Sequence, residues 1–257
     1  MGPVRGEVMW QAVLDAVALV PREGPLDVLD LGGGTGGDSV RLASQGHRVT
    51  VVDPSPDALA SLHRRAVDAG IPADSVVGLQ GDANDLASAV AGGSQDLVLC
   101  HGVLEHVDDP CEALRAVGPV LRPHGRVSAV VAGRSAAVLA RALTGDFDGA
   151  RHMNSRRAAT WDLRADGPRR FVPEELQAVL QEAGFEPVES AALRVFVDLV
   201  PSAVVDIEPG ARERLYALER EVRGSSDFSG ISAGLQTVAR LDLEQTSIDR
   251  GDHRAAV

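Results

Sequence analysis

The sequence predicts an α/β fold built on a mostly parallel sheet of seven strands, with helices on both faces. Two observations lead to this prediction. The first half of the chain alternates short apolar runs with segments whose apolar residues recur at helical spacing. The first apolar run also ends at a glycine cluster, residues 32–34, directly before a helical segment. Such alternation is typical of parallel strands joined by helices that cover both faces of a sheet.

Five strands and four helices are expected in the first half of the chain. The expected strands span residues 26–31, 47–52, 76–80, 96–100 and 126–131. The expected helices span residues 8–20, 37–44, 55–70 and 109–121. Ser55 and Asp57 are candidate capping residues of the third helix, because short oxygen-bearing side chains accept hydrogen bonds from the free amides of a first turn.

The second half is less regular. Residues 143–172 contain several glycines and six arginines, which indicates a basic insertion or lid after the fifth strand. The remaining expected elements, bounded by proline, glycine or charged residues, are a helix over 173–183, strands over 187–200 and 234–241, and a helix over 211–223 between them. Residues 1–241 are therefore expected to form one domain, and residues 242–257 a flexible tail.

Composition and charge exclude several classes of function. The 257 residues are 44% hydrophobic and 24% charged, which is typical of a globular chain. All 25 positive side chains are arginine, so Schiff-base lysine chemistry and a phosphate loop ending in lysine are excluded. A net charge of −12 disfavours general binding of the nucleic-acid backbone, although it leaves room for a local basic patch.

The sequence also indicates a location. Its two cysteines, Cys100 and Cys111, do not make a disulfide framework, which favours a reducing compartment. No run reaches about 18 apolar residues, and residues 1–10 lack the apolar centre of a secretory signal. We therefore expect a cytoplasmic protein without a membrane segment.

The strand–glycine–helix junction at residues 28–37 points to a nucleotide-like cofactor, because glycines bring backbone amides against a ligand where side chains would obstruct it. Gly32, Gly34 and Gly37 satisfy the dinucleotide spacing G-x-G-x-x-G, which is weak evidence by itself. Asp30, however, lies two residues ahead of the first glycine, where a carboxylate would repel a pyrophosphate. It suits a ligand that carries an ammonium and a sulfonium, as S-adenosylmethionine does.

The pattern D-x-G-x-G-x-G over residues 30–36 resembles the first motif of class I S-adenosylmethionine-dependent methyltransferases. The resemblance implies a Rossmann-like fold and S-adenosylmethionine as cofactor. It places Asp30 and the glycines Gly32, Gly33 and Gly34 against that cofactor.

Later positions agree with this resemblance. Asp53 closes the second strand, where a carboxylate can accept both ribose hydroxyls. Asp82 and Ala83 follow the third strand, where the family places the adenine, and Asp85 is a competing acid there. His101 follows the fourth strand, beside the expected methyl donor.

Other catalytic patterns are incomplete. His101, Glu105 and His106 have a spacing one residue too long for the H-x-x-E-H metalloprotease pattern, and no further Cys or His cluster is available, so no metal site is expected. No G-x-S-x-G elbow supports a Ser-His-Asp triad. The Asn/Asp-Pro-Pro-Tyr signature of exocyclic-amine methyltransferases is missing after the fourth strand, which argues against an adenine or cytosine amine as acceptor.

Beyond the first motif, the chain resembles the bacterial tRNA 5-carboxymethoxyuridine methyltransferases, which esterify the carboxylate of a modified wobble uridine. The matching segments are residues 10–11, 32–34, 101–105, 109–110, 121–123, 145–148 and 194–196. The last two lie outside the generic methyltransferase core and are the more specific. Residues 202–232 match poorly.

This resemblance implies a tRNA anticodon loop as partner. Arg5 resembles a cofactor-contacting arginine ahead of the sheet, and Arg194 resembles one that faces the anticodon substrate. A carboxylate acceptor is already anionic and needs no general base, and the guanidinium fork of Arg194 suits its orientation, so Arg194 is the candidate catalytic residue. Arg151, Arg156 and Arg157 of the insertion are candidate substrate-binding residues.

Three alternatives stay open. The chain could methylate a hydroxyl or carboxylate of a small metabolite, in which case His101 or His106 would act as the base for a hydroxyl. It could be a nicotinamide-dependent oxidoreductase, which Asp30 disfavours. It could also bind the cofactor as a sensor without catalysis. The sequence carries no signal for the oligomeric state.

Overall fold

The computed structural model describes residues 2–242, and a seven-stranded sheet forms the centre of this part of the chain. The strands are β1 (Asp27–Leu31), β2 (Arg48–Asp53), β3 (Val76–Gln80), β4 (Gln95–His101), β5 (Leu121–Ala132), β6 (Phe185–Leu193) and β7 (Gly234–Leu241). Their order is β3-β2-β1-β4-β5-β7-β6, with β7 antiparallel to β5 and β6 and all other pairs parallel. The predicted α/β class and mostly parallel sheet are confirmed.

Helices connect most of the strands. Within the described residues they are α1 (Gly2–Ala18), α2 (Gly37–Ser44), α3 (Pro56–Asp68), α4 (Leu86–Ala89), α5 (Pro110–Val117), α6 (Arg134–Leu143), α7 (Phe147–Ser155), α8 (Leu163–Asp166), α9 (Pro173–Glu182), α10 (Ser202–Ile207), α11 (Ala211–Val222) and α12 (Ser226–Ser229). The helix expected over 211–223 is thus present as α11. Ser55 caps α3, because its side chain accepts a hydrogen bond from the Ala58 amide.

Helices cover both faces of the sheet because side chains alternate along the buried strands. Val28 of β1 packs with residues of α1, α2 and α3. Leu29 and Leu31 of the same strand contribute to the opposite apolar cluster, which contains residues of α5 and α9. A strand that is buried on both faces in this way is typical of parallel sheets.

The strand order reverses between β1 and β4, so the carboxyl ends of these two neighbouring strands open a crevice. Ligands of doubly wound sheets bind outside the carboxyl ends of the strands at such a point. The glycine loop follows β1 directly, and Val103 from the loop after β4 lies next to Gly32. The fold therefore places the predicted glycine loop and the loop after β4 at one crevice.

Several predicted element boundaries were wrong. The strand expected over 187–200 ends at Leu193, because Arg194 adopts a left-handed backbone conformation with φ of 56° that cannot continue a strand. The helix expected over 109–121 ends at Val117, and β5 begins at Leu121 and not at residue 126. The predicted insertion, for which no secondary structure was specified, is largely helical: α7 is capped by the Asp146 side chain, which accepts from the Gly149 amide at 2.9 Å. The first helix begins at Gly2, well before residue 8. The predicted tail, apart from Asp242, lies outside the described residues.

Candidate active site

The loop after β1 is packed so closely that two positions require glycine. Gly36 has φ of 69°, and a Cβ there would lie 1.9 Å from Cδ1 of Leu62. A Cβ on Gly33 would lie 2.5 Å from Oδ2 of Asp30. The loop therefore presents backbone to the crevice, which is the property that a cofactor-binding loop needs.

Asp30 is a buried carboxyl group at the base of this loop. Its residue is 7% exposed, and its Oδ2 accepts a hydrogen bond from the Ser39 hydroxyl. Burial raises the pKa of Asp30 to about 7, although the Ser39 hydrogen bond opposes the shift. The ionised form is therefore under-solvated, and a cationic ligand group beside it would stabilise that form.

Asp53 ends β2 on the other side of the loop. Its Oδ2 accepts a hydrogen bond from the Gly34 amide at 2.9 Å, and its Oδ1 accepts one from the Ser55 amide at 2.9 Å. Each carboxylate oxygen has two lone pairs, so each retains one for a further donor. The two amides fix the carboxylate in position and leave acceptors for two further donors; contact of Asp53 with ribose hydroxyls stays a prediction.

The loop after β3 joins the same crevice. The Gly81 amide donates to the backbone carbonyl of Asp53 at 3.3 Å, which ties this loop to the end of β2. Asp82 accepts from the Asn84 amide at 2.7 Å and so caps a short 3₁₀ turn, Ala83–Asp85. Ala83 is buried, whereas the Asp82 side chain is exposed. Contact of Asp82 and Ala83 with an adenine stays a prediction.

His101 ends β4, but its ring already has a partner. Nε2 lies 2.9 Å from the Ser128 hydroxyl, which also accepts from the Gln236 side chain at 3.0 Å. Burial, together with the positive charge of Arg223, lowers the pKa of His101 to about 4. The ring is therefore neutral at pH 7, and its predicted contact with the cofactor remains a prediction.

A second cavity, of about 500 Å³, opens at the carboxyl end of β5 and is named here the arginine cavity. Its charged lining side chains are Arg5, Arg141, Arg170, Arg194 and Asp198. Arg194 and Arg5 share Asp198, with N···O distances of 3.4 Å and 3.8 Å respectively. The fold thus brings together two predicted site residues from opposite ends of the chain.

Arg194 is well anchored in this cavity. Its Nη2 donates to the carbonyl of Ala233 at 3.0 Å, and its Nε is buried without a hydrogen-bond partner. Burial lowers the pKa of Arg194, whereas Asp198 opposes the shift. A half-satisfied guanidinium inside a cavity is a favourable site for an anion. Arg5 lies on this side as well, and its predicted cofactor contact stays untested.

Sequence reasoning missed three residues around the cavity. Arg141 and Arg170 line it directly, and Arg170 was hidden among the six arginines of the insertion. Glu105, considered above only as a metal ligand, is buried next to the cavity: its Oε1 accepts from the Ala132 amide at 2.8 Å, and its Oε2 has no partner. Burial raises the pKa of Glu105.

The three predicted substrate-binding arginines of the insertion have different environments. The Arg151 side chain is 86% exposed, and its nearest acid is Asp148 at 4.0 Å. Arg156 forms an ion pair with the buried carboxylate of Asp166. Arg157 donates to two backbone carbonyls of its own segment. Their contact with a substrate stays a prediction, but Arg156 also has a structural role.

Sequence comparisons with known proteins identify the family to which this chain belongs. The family profile described as a methyltransferase domain matches residues 7–190. This chain belongs to the S-adenosylmethionine-dependent methyltransferases. It is 32% identical over 198 residues to the tRNA 5-carboxymethoxyuridine methyltransferase of Escherichia coli (strain K12), which covers 77% of the chain and 73% of that protein. It is 34% identical over 194 residues to a ubiquinone biosynthesis O-methyltransferase of Azorhizobium caulinodans, covering 75% and 71%.

Solved structures show the same class I methyltransferase fold. An S-adenosylmethionine-dependent methyltransferase of Mesorhizobium loti has a TM-score of 0.58 at 20% identity, covering 92% of this chain and 99% of that one. The 1,6-didemethyltoxoflavin-N1-methyltransferase of Burkholderia thailandensis, solved with S-adenosylhomocysteine, has a TM-score of 0.51 at 23% identity, covering 92% and 82%. The cofactor of this methyltransferase is S-adenosylmethionine.

The described residues contain neither a cluster of metal-ligating side chains nor a membrane-spanning helix. Between residues 2 and 242, the methyltransferase has no cluster of three or more His, Cys, Asp or Glu side chains that could hold a metal ion. Over the same residues, none of its helices combines the length and the apolar character that a membrane span needs.

Replacing Asp53 by alanine is expected to weaken S-adenosylmethionine binding strongly. The variant removes a charged acceptor for the ribose hydroxyls, and each such hydrogen bond contributes on the order of 1.5–3 kcal/mol. Isothermal titration with S-adenosylhomocysteine measures the loss. Asp57→Ala, an exposed acid in the next helix, is the matched control. Unchanged affinity in a folded Asp53→Ala protein would remove Asp53 from the site.

The affinity for S-adenosylmethionine is expected to rise with pH up to about 7. Asp30 is protonated below its pKa of about 7, and the cationic cofactor favours the ionised carboxylate. Binding at lower pH must therefore release a proton, which weakens affinity by up to about tenfold per pH unit. Titrations between about pH 5.5 and 7.5 in buffers of different ionisation enthalpy measure both effects. Asp30→Asn should flatten the profile; a flat profile in the native protein contradicts the assignment.

Proposed function

We propose that this methyltransferase esterifies the carboxylate of 5-carboxymethoxyuridine at the tRNA wobble position. The observation that carries the proposal is the arginine cavity, because four guanidinium groups gather there in a chain whose net charge is −12. Such a cavity favours an anionic acceptor over a neutral one. The named activity of the Escherichia coli relative supports the same substrate class.

The reaction places few demands on the protein beyond positioning. When bound, the cofactor supplies an electrophilic methyl group on a sulfonium. A carboxylate oxygen of the acceptor forms the new O–CH₃ bond while the S–CH₃ bond breaks, and no proton is transferred. Arg194 would hold the second carboxylate oxygen and direct the first along the line of attack, because a guanidinium presents paired donors in a fixed plane. The cavity would also weaken hydration of the attacking oxygen.

A direct test uses the tRNA itself. Nucleosides from cells with and without the gene are compared by mass spectrometry, and purified enzyme is then supplied with tRNA from the deletion strain. The proposal expects the methyl ester to disappear in the deletion strain and to return on treatment, with free 5-carboxymethoxyuridine changing in the opposite direction. An unchanged nucleoside profile would reject the tRNA substrate while leaving the methyltransferase class intact.

A small-molecule hydroxyl is the second candidate acceptor. The specific observation is Glu105, whose buried Oε2 lacks a partner next to the arginine cavity and whose pKa is raised by burial. A carboxyl group in that state can accept a proton from a hydroxyl during methyl transfer. The relative named for ubiquinone biosynthesis is an O-methyltransferase. A pH–rate profile that requires one deprotonated group and disappears in Glu105→Gln would favour this candidate.

Replacing Arg151 and Arg157 by serine is expected to weaken binding of an anticodon stem-loop. Arg156 is left intact because its ion pair with Asp166 supports the fold. If both arginines contact phosphates, the slope of log affinity against log salt concentration should fall by about 1.5 in magnitude. Fluorescence anisotropy over a salt series measures it, with cofactor affinity as the control. Unchanged affinity and slope would show that the insertion is a solvated surface.

A further inference from the structure

We infer that Arg170 and Arg141 form a second anion subsite in the arginine cavity, and that the acceptor carries a phosphate as well as its carboxylate. The inference rests on the proposed function, because it takes the acceptor of the same cavity to be a nucleotide. The inference goes beyond recognition of the carboxylate: the cavity would bind a phosphorylated acceptor more tightly than a carboxylic acid without a phosphate.

Arg170 is the first reason. Within residues 2–242, its half-buried guanidinium has neither a hydrogen bond nor an ion pair. Burial lowers the pKa of Arg170, and the positive charge of Arg141 lowers it further, whereas the negative charge of Glu105 opposes the shift. Partial desolvation of a charge that has no direct hydrogen-bonded partner is unfavourable, and an anion that enters the cavity would relieve it.

Two other arginines among residues 2–242 have the partners that Arg170 lacks. Arg169, the preceding residue, donates to four backbone carbonyls. Arg122 lies 2.8 Å from carboxylate oxygens of Asp96 and Asp27, at the amino ends of the central strands β4 and β1. Arg170 differs from the exposed Arg164 and Arg220 as well, because it lacks a side-chain partner within the described residues although it is half-buried in the cavity.

The shape of the cavity separates two binding positions. One face of α6 lines it with alanines at turn spacing, followed by Arg141 and Thr144 further along the helix. These small side chains leave space along about 12 Å of helix, from Ala136 near β5 to Thr144. Arg194 and Arg5 both pair with Asp198. Arg141 pairs instead with a different, exposed acid, Asp146, at an N···O distance of 3.7 Å.

Arg170 is close enough to both positions to interact with each. Its charge lowers the pKa of Arg194, and the charge of Arg141 lowers the pKa of Arg170. A carboxylate held by Arg194 would leave available the donors of Arg170 and those of Arg141 that do not already contact the Ala137 carbonyl or Asp146. Two neighbouring guanidinium groups match a phosphate, which offers several acceptor oxygens. A nucleotide presents a carboxylate-bearing base and a phosphate in one molecule.

The experiment measures binding to the enzyme loaded with S-adenosylhomocysteine, so it does not depend on turnover. The probes are 5-carboxymethoxyuridine, its 5′-monophosphate, and uridine 5′-monophosphate. The native protein should bind the carboxymethoxy monophosphate about tenfold or more tightly than the nucleoside. Arg170→Gln and Arg141→Gln should each remove most of that difference while binding of the nucleoside changes little.

Arg164→Gln is the matched control, because Arg164 is exposed on the same segment, lies outside the cavity lining and has no ion pair in the part of the chain that the structure describes. Thermal unfolding confirms that the variants fold. A phosphate that adds no affinity in the native protein, or an advantage that survives both substitutions, overturns the subsite. Phosphate-dependent binding of uridine 5′-monophosphate, combined with failure to methylate the tRNA, would retain the subsite and reject only the proposed substrate.

Discussion

Arg194→Ala is expected to lose most methyl transfer to 5-carboxymethoxyuridine-containing tRNA while S-adenosylmethionine affinity is unchanged. Arg194 lines the arginine cavity and is anchored there by the Ala233 carbonyl and by Asp198. Removal of one charged donor from a reacting group typically reduces the rate by roughly 100-fold or more. Lysine at this position should recover little, because one ammonium cannot reproduce the planar pair of donors. Single-turnover rates of both variants measure the effect.

Two controls separate chemistry from structure in that experiment. Arg212→Ala removes an exposed arginine that pairs with Asp206 away from the cavity, and its turnover should match the native enzyme. The free energy of unfolding of Arg194→Ala tests whether loss of the Ala233 contact destabilises the loop. Full turnover by a stably folded Arg194→Ala protein would move the acceptor site elsewhere and favour a small-metabolite substrate.

The position of Arg194 depends on a residue that the sequence did not reveal. The Glu219 carboxylate of α11 is 3% exposed and accepts hydrogen bonds from three successive amides, those of Val195, Phe196 and Val197. These bonds hold the loop directly after Arg194 and keep that residue outside the strand. Residues 202–232 match the resembled family poorly, yet this segment supports the predicted catalytic arginine.

Local patterns made the cofactor crevice predictable. The glycines after β1 and Asp53 at the end of β2 are placed by the strand–loop–helix order itself, so their neighbourhood follows from the sequence. The meeting of Arg5 with Arg194 has no such local signal, because it depends on how α1 packs against the end of the sheet. The same limit applies to Arg170. The sequence does not distinguish it from the other five arginines of the insertion, but in the folded protein it is the one of the six that lines the arginine cavity.

The helical character of the insertion was missed for a related reason. The α7 segment contains a glycine and several polar residues, so its intrinsic helical propensity is low. Its helix is stabilised by the Asp146 cap and by packing of Met153 against Ala137 and Trp161. Tertiary contacts of this kind override propensity and leave no periodic apolar pattern in the sequence.

Arg169→Met is expected to lower the free energy of unfolding by about 3 kcal/mol or more. Arg169 is 4% exposed and donates to the carbonyls of Ala158, Leu104, Val107 and Asp108 at 2.7–3.2 Å. Methionine fills a similar volume but leaves the Leu104, Val107 and Asp108 carbonyls without the guanidinium donor, whereas the Ala158 carbonyl still accepts from the Trp161 amide. Each buried acceptor that loses its donor is costly to desolvate. Denaturant titration with constant slope measures the change.

The same substitution should also affect the active site, because the Arg169 side chain joins the insertion to the loop after β4. That loop contains Glu105, and the Arg169 amide donates to its carbonyl at 2.8 Å. We expect Arg169→Met to raise the KM for the acceptor more than it changes cofactor affinity. The reason is that the arginine cavity adjoins this junction, whereas Asp53, a predicted cofactor residue, lies away from it. Arg164→Met, an exposed change on the same segment, should leave both stability and KM near their native values. A loss below about 1 kcal/mol in Arg169→Met would mean that water replaces the guanidinium at these carbonyls and that the junction is held mainly by apolar packing.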